Sequence, residues 1–250
     1  MEAIKRNYYG SLCTEMYELL HPEAPQDELH FYLSYAKKEM SILEPLCGSG
    51  RFLIPFAERG FHIKGVDNSH EMLKKLLEKS PDSDIVESEI EEYQTSERFD
   101  YIFISSGSVS LFTEMQSCRS ILSKIKELLT EGGKFVFAVD TTANRCPDSD
   151  QYTVGAAVKT QENDELILKS KNYYDEATHT QYSPAIYEWY HDGKLLRKEE
   201  MNFQTHLYEL GEMEIFLKEI GFSDVTVYSS FKKDIAKTNE SEMFLYECSV

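Results

Sequence analysis

Residues 42–52 read Ile42-Leu43-Glu44-Pro45-Leu46-Cys47-Gly48-Ser49-Gly50-Arg51-Phe52 and combine a short apolar run, two glycines and the start of an amphipathic segment. The pattern predicts a strand that passes through a glycine turn into a helix. In such a turn the backbone N–H groups and the positive helix end face a ligand, and side chains larger than hydrogen would block its approach. We therefore expect a nucleotide-like ligand at this turn.

An acidic residue follows where a nucleoside needs one. Asp67 ends the next apolar run, His62-Ile-Lys-Gly-Val-Asp67, and a carboxylate at that strand end can accept hydrogen bonds from both ribose hydroxyls. A tight turn beside a solvated Asp67 would also explain these residues. The combination of the glycine pair with the acid favours nucleotide binding.

The details of the turn distinguish between nucleotides. A dinucleotide fingerprint has Gly or Ala three residues after Gly50, but Leu53 stands there and should obstruct close packing of helix on strand, which disfavours NAD, FAD and a nicotinamide oxidoreductase. A P-loop needs a Gly-Lys-Ser/Thr run, which is missing here. Glu44 would repel a pyrophosphate, but it suits a ligand with an ammonium group and a sulfonium, such as S-adenosylmethionine.

The order of elements predicts an α/β protein. Apolar runs at 42–43, 61–66, 85–86, 101–104 and 134–139 alternate with amphipathic segments at 52–59, 69–79 and 115–129, the last ending at Gly132-Gly133. This alternation is typical of strand, helix, strand units around a parallel sheet. Residues 152–207 instead predict an antiparallel meander of three or four strands, with turns at 162–164 and 191–193. A helix at 210–220 and strands at 225–228 and 243–248 follow.

Four segments resemble the class I S-adenosylmethionine-dependent methyltransferases. They are Leu43-Glu-Pro-Leu-Cys-Gly-Ser-Gly50, Gly65-Val-Asp-Asn-Ser-His-Glu-Met-Leu73, Phe99-Asp-Tyr-Ile-Phe-Ile104 and Leu128-Leu-Thr-Glu-Gly-Gly-Lys-Phe135. The resemblance implies a Rossmann-like fold with a seven-stranded, mostly parallel sheet flanked by helices and an antiparallel β insertion after the fifth strand. The N-terminal Tyr17-Glu-Leu-Leu-His-Pro22 and the meander resemble the small-molecule methyltransferases whose inserted sheet roofs the active site.

The resemblance divides a single methyltransferase domain, residues 1–250, into four parts. We expect an N-terminal helical cap at 1–40, a cofactor-binding core at 41–147, an antiparallel insertion serving as substrate lid at 148–208, and a helix with a β-hairpin at 209–250 that completes the core.

The resemblance also implies roles for individual residues. The Cys47 to Gly50 backbone would lie along the methionine part of the cofactor with Glu44 beside its amino group, and Asp67 would bind the ribose. The predicted cofactor-binding set is Glu44, Cys47, Gly48, Gly50, Arg51, Asp67, Asn68, Met72, Glu89, Ile90 and Ser106, of which Asn68, Met72, Glu89 and Ile90 surround the adenine. Glu89 lies in an acidic run that could equally be a solvated face. Leu46 stands where the family usually has Gly, so we expect the turn to form without a positive φ there.

Methyl transfer from a sulfonium is an in-line displacement, so the enzyme chiefly aligns donor and acceptor and excludes water. The small residues Ser105 to Ser108 follow the fourth strand and should leave room for an acceptor. Tyr8 and Ser106 are the catalytic candidates, although a strong base is optional. The tyrosine clusters could hold a sulfonium or a planar acceptor, or could simply suit half-exposed strands. The histidines show no metal-binding pattern, so no metal is predicted.

The amino-acid composition restricts the classes of substrate and the cellular compartment that we expect for this protein. Lys+Arg minus Asp+Glu gives a net charge of −18, which makes nucleic acid an unlikely substrate. Five scattered cysteines, no apolar run of membrane length and no secretory signal predict a cytoplasmic protein; monomer and homodimer both stay open. The expected function is methyl transfer from S-adenosylmethionine to a small molecule. The alternative is a catalytically inactive S-adenosylmethionine-binding module acting as sensor or partner subunit.

Overall fold

Two β-sheets and six helices make up the described part of this computed structural model, which covers residues 7–160 and 164–250. The helices are α1 (Ser11–Leu20), α2 (Gln26–Leu33), α3 (Leu53–Glu58), α4 (His70–Lys79), α5 (Met115–Leu128) and α6 (Glu212–Ile220). The strands of the larger sheet are β1 (Ser41–Pro45), β2 (His62–Asp67), β3 (Ile85–Glu87), β4 (Phe99–Ile104), β5 (Leu129–Asp140), β11 (Ser223–Tyr228) and β12 (Met243–Ser249). Those of the smaller sheet are β6 (Thr153–Lys159), β7 (Glu165–Ser170), β8 (Tyr173–Asp175), β9 (Thr180–His191) and β10 (Lys194–His206).

The larger sheet has the predicted mostly parallel topology. Its strand order is β3-β2-β1-β4-β5-β12-β11; β1 to β5 are parallel, and β12 runs antiparallel to both of its neighbours. Apolar side chains on β1 and β4 are buried because helices cover both faces of the sheet. From β1 the chain adds strands β2 and β3 on one side, and then β4 and β5 on the other side of β1. In sheets with such a change in strand order, ligands bind at the carboxyl ends of the strands that flank it.

The helix signals read from the sequence are confirmed for α4. Its N-cap is Ser69, whose Oγ accepts a hydrogen bond from the Met72 backbone N–H at 3.2 Å. The buried face of the helix consists of Met72, Leu73 and Leu76, within the amphipathic segment predicted at 69–79.

The helix predicted at 115–129 is confirmed as α5, but the expectation that Gly132-Gly133 stops it was wrong. The helix ends at Leu128, and both glycines lie inside β5 next to a register shift against β4. Gly132 has a φ of 74°. A Cβ on Gly133 would lie 3.1 Å from the Phe99 carbonyl oxygen, so the glycine permits close approach of the two strands.

The insertion is antiparallel as predicted, but it contains five strands instead of three or four. The expected turn at Asp192-Gly193 joins β9 to β10 with positive φ at both residues. Residues 162 and 163 of the other expected turn, at 162–164, lie outside the described residues, as do residues 1–6 of the N-terminal cap. No helix in the described ranges is long and apolar enough to cross a membrane.

Candidate active site

A cavity of about 500 Å³ opens at the carboxyl ends of β1, β2 and β4, within the usual size range of small-molecule sites. Ten of the eleven predicted cofactor-binding residues line it; Gly50 does not. The fold therefore brings these ten together from four separate segments of the chain. Their individual roles stay predictions.

Leu46 adopts the positive φ that the sequence analysis expected it to avoid. Its φ is 57°, a conformation that costs a residue with a Cβ about 1–2 kcal/mol. Two hydrogen bonds to β2 hold the turn: the Cys47 N–H donates to the Val66 carbonyl at 3.3 Å, and the Gly48 N–H donates to Asp67 Oδ2 at 2.9 Å. The surrounding contacts thus impose the strained backbone.

The two glycines of the turn serve different purposes. Gly48 has a φ of 53°, and a Cβ there would meet only Met72 Sδ, at 4.0 Å, so its missing side chain leaves space beside the cavity. A Cβ on Gly50 would lie 2.8 Å from Leu76 Cγ and 3.0 Å from Ile54 Cγ1. Gly50 is therefore needed where the turn packs against α3 and α4.

Leu53 does not obstruct helix packing as expected. A Cβ on Gly65 of β2 would lie 2.6 Å from Leu53 Cδ1. The close approach of α3 to the sheet is made possible by a glycine on the strand instead of a third glycine on the helix.

Asp67 connects the turn to α4. Its Oδ2 accepts the Gly48 N–H, and its Oδ1 accepts the Ser69 N–H at 2.8 Å. Burial raises the pKa of this carboxyl, while the hydrogen bonds from Ser69 and Gly48 act in the opposite direction. A carboxylate has about four acceptor positions, so Asp67 retains capacity for ribose hydroxyls at the cavity.

Glu44 has a buried oxygen without a partner. Only 1% of the residue is exposed, and burial raises the pKa of its carboxyl well above the ordinary value. Its Oε1 accepts the Ser105 hydroxyl at 3.4 Å, whereas its buried Oε2 has no hydrogen-bond partner among the described residues. A buried polar atom without a partner is costly, so a ligand group that pairs with it would be favourable.

Arg51 offers the complementary group. Its guanidinium lies over the Tyr17 and Phe52 rings and donates from Nη2 to Ser106 Oγ, but its buried Nε has no partner in the described part of the chain. A ligand with both an ammonium and a carboxylate would satisfy Glu44 and Arg51 together. The methionine part of S-adenosylmethionine carries these two groups, so the residues present fit this cofactor.

The opposite end of the cavity is lined by the residues predicted around the adenine. Met72 and Ile90 are buried there. Asn68 Nδ2 donates to Glu89 Oε1 at 2.8 Å. Glu89 is exposed, as Glu91 and Glu92 are, but of these three only Glu89 lines the cavity, which favours the ligand-facing interpretation.

One wall of the cavity comes from the N-terminal segment, for which the sequence predicted a helical cap and tyrosines able to hold a ligand, but neither Asn7 nor His21. This N-terminal wall consists of residues 7–21, and its lining side chains are Asn7, Tyr9, Tyr17 and His21. Burial raises the pKa of Tyr17 to about 12, and burial followed by the Arg51 charge lowers the pKa of His21. Near neutral pH the wall therefore presents a protonated phenol and a neutral imidazole. The tyrosine-rich N-terminus was the available indication, but its position depends on tertiary contacts.

The two catalytic candidates differ in position. Tyr8 does not line the cavity, and its hydroxyl donates to Glu71 Oε2 at 3.0 Å. Ser106 does line it, with a φ of 57° and its N–H donating to Glu28 Oε1 at 2.7 Å. Because Glu28 is buried, the pKa of its carboxyl is raised. The structure thus keeps Ser106 beside the site and directs the Tyr8 hydroxyl toward α4.

The insertion was expected to form the lid, but no described residue between 148 and 208 lines the cavity. It contacts the N-terminal wall instead. In residues 7–160 and 164–250, no group of three or more potential metal ligands was found, and the absence of a metal stays a prediction.

The parallel sheet, the glycine turn and the acid at the end of β2 are the features in which this chain resembles the class I S-adenosylmethionine-dependent methyltransferases. Residues 42–133 match a family model described as a methyltransferase domain. The protein is an enzyme whose cofactor is S-adenosylmethionine.

The similarity to relatives extends along nearly the whole chain. A protein of Geobacillus sp. strain WCH70, provisionally assigned as a methyltransferase, is 24% identical over 91% of this chain and 94% of its own. The fold resembles that of the CcbJ methyltransferase from Streptomyces caelestis, with 19% identity, 96% coverage of both chains and a TM-score of 0.76. It also resembles the sugar N-methyltransferase KedS8 from Streptoalloteichus sp., with 14% identity, 98% coverage of both chains and a TM-score of 0.75.

Proposed function

We propose that this enzyme transfers the methyl group to a small-molecule acceptor by in-line displacement. The observation that carries the proposal is the N-terminal wall, which lines the cavity and is hydrogen-bonded to the start of α4. The Tyr9 carbonyl accepts the Ser69 hydroxyl at 2.7 Å, at the start of α4. A small acceptor can share a covered cavity with the cofactor, whereas a macromolecular one would have to displace this wall. The sugar acceptor named for KedS8 is consistent with this size class.

Different residues bind the cofactor and exclude water from the site. The cofactor supplies an electrophilic methyl group on its sulfonium. Glu44 and Arg51 hold the amino-acid end, and Asp67 holds the ribose. Tyr9 and Tyr17 exclude water, which strengthens the electrostatic interactions inside the site. Alignment of the acceptor against the methyl group contributes most of the rate, because a displacement of this type needs orientation more than a strong base.

A metabolite screen tests the proposal. The purified enzyme is incubated with methyl-tritiated S-adenosylmethionine and fractions of a metabolite extract, with boiled enzyme as control. We expect enzyme-dependent tritium in a low-molecular-weight product. Cofactor binding with tritium only in protein or nucleic acid would contradict the small-molecule acceptor, and binding without any transfer would favour the sensor alternative.

We expect the affinity for S-adenosylmethionine to rise with pH because of Glu44. Its raised pKa keeps the carboxyl protonated in the free protein above the usual Glu range, whereas pairing with an ammonium requires the carboxylate. Binding therefore releases a proton, and the dissociation constant should fall as the pH rises toward that pKa. Calorimetric titration between pH 5 and pH 8 measures the slope.

Glu44→Gln should weaken binding by about 1.5–3 kcal/mol at the upper pH and flatten the slope. The slope that remains would come from Asp67, whose pKa is also raised. Glu92→Gln makes the same charge change at an exposed position outside the cavity and should leave both affinity and slope unchanged. An unaltered pH dependence in Glu44→Gln would remove Glu44 from the ammonium site.

We also propose that the enzyme works in the cytoplasm. All five cysteines are free, and four of them are buried. Unpaired thiols are the usual state in a reducing compartment, and fluorescence microscopy of the tagged protein in its source cells tests the assignment.

A further inference from the structure

Helix α1 begins without an N-cap side chain of its own. The N-cap residue is Gly10, which has no side chain to accept the first backbone N–H groups of the helix. The acceptor is Glu199 of β10, in the insertion. Its Oε2 accepts the Leu12 N–H at 3.0 Å, and its Oε1 accepts the Cys13 N–H at 3.5 Å. A carboxylate at this helix end also interacts favourably with the helix dipole.

Gly10 makes this contact possible. A Cβ on Gly10 would lie 2.4 Å from Glu199 Oε1 and 2.7 Å from its Cδ, so the carboxylate occupies the space that a side chain would need. The absent side chain on the helix and the carboxylate on the strand are therefore complementary features of one contact.

The same helix carries residues of the cavity. Tyr17 lies in α1, and His21 follows it as the C-cap, with the two rings 5.1 Å apart. The inner face of α1 belongs to a core cluster shared with the insertion: Leu12, Cys13, Met16, Leu166, Ala185, Tyr187 and Met201. A displacement of α1 on the insertion would consequently move the wall of the cavity.

A second contact fastens the residues before α1. The Asn7 side-chain amide donates to the carbonyl oxygens of Leu111 at 2.9 Å and Gln204 at 2.8 Å, and its Oδ1 accepts the Gln204 N–H at 2.8 Å. Leu111 lies in a short 3₁₀ helix after β4 and lines the cavity, while Gln204 belongs to β10. The N-terminal wall is thus bound to the insertion both before α1 and at its start.

We propose that the insertion acts on the methyl-transfer site through the N-terminal wall, and that Glu199 is the positioning residue of this contact. The inference rests on the proposed function, since the wall is taken to face the acceptor. In this proposal the insertion does not act as a lid that touches the acceptor. It holds the N-terminal wall in place.

The test combines two readouts that need no acceptor: amide hydrogen exchange of Leu12 and Cys13, and the dissociation rate of S-adenosylhomocysteine. For Glu199→Ala we expect faster exchange at both amides and dissociation about five- to tenfold faster. Glu199→Gln keeps a side-chain acceptor and should lie between Glu199→Ala and the wild type. Glu200→Ala, on the same strand but exposed and paired with Lys198, is the matched control and should change neither readout.

Gly10→Ala examines the contact from the helix side. Its methyl group should displace the Glu199 carboxylate and produce the same two changes, and the double variant Gly10→Ala/Glu199→Ala should be no worse than the more affected single variant, because both remove one contact. Unchanged exchange in Glu199→Ala, or faster exchange with unchanged dissociation, would overturn the proposal. A failed acceptor screen would refute the proposed function while leaving both of these readouts interpretable.

Discussion

Gly48→Val should abolish detectable binding of S-adenosylhomocysteine, raising the dissociation constant more than about 100-fold, or 2.7 kcal/mol. Two effects act together. The φ of 53° disfavours a β-branched residue, and the new side chain would project beside the cavity near Met72, where the space is open only because Gly48 has no Cβ. Isothermal titration calorimetry on protein shown to be folded measures the effect.

The backbone contribution can be separated from the steric one. Gly193, at the tip of the β9–β10 hairpin, has a similar φ of 73° and open space around its Cβ position. Gly193→Val should therefore lose about 1–2 kcal/mol of stability, the same backbone cost as in Gly48→Val. It should still bind the ligand normally. Retained binding in folded Gly48→Val would place the cofactor elsewhere.

Asp67→Ala should weaken cofactor binding by about 2–3 kcal/mol, or roughly 30- to 150-fold. The variant loses a charged acceptor for the ribose and also the hydrogen bonds that the carboxylate accepts from Gly48 and Ser69. Asp67→Asn retains one carbonyl oxygen but sets an NH₂ group against one of those N–H donors, so its affinity should lie between alanine and the wild type.

The matched control is Asp84→Ala, since Asp84 is exposed, lies outside the cavity and pairs with Lys64 at 3.5 Å. Its dissociation constant should equal that of the wild type. A wild-type dissociation constant for Asp67→Ala as well would exclude Asp67 from the ribose contact. Thermal unfolding of both variants shows whether the lost affinity merely reflects lost stability.

The core of the fold and the cofactor side of the site could be predicted because their determinants are local. A strand followed by Gly48, a Ser69 N-cap before an apolar stripe, and an acid at the end of a strand are each contained within a few neighbouring residues. Strand order then follows from the restricted handedness of the crossovers. Parallel strands with a common direction bring the ends of these segments to one edge of the sheet.

The sequence by itself thus determined the class of fold, the cofactor and ten of the described residues that line the cavity. Only the tertiary structure decided the positive φ of Leu46, the unpaired atoms of Glu44 and Arg51, and the support that Glu199 gives to α1. Each of these depends on groups from distant parts of the chain: the strain at Leu46 is held by bonds to β2, and the α1 cap comes from β10. A pattern read along the chain contains no information about which distant carboxylate will meet a helix end, because that meeting is set by packing.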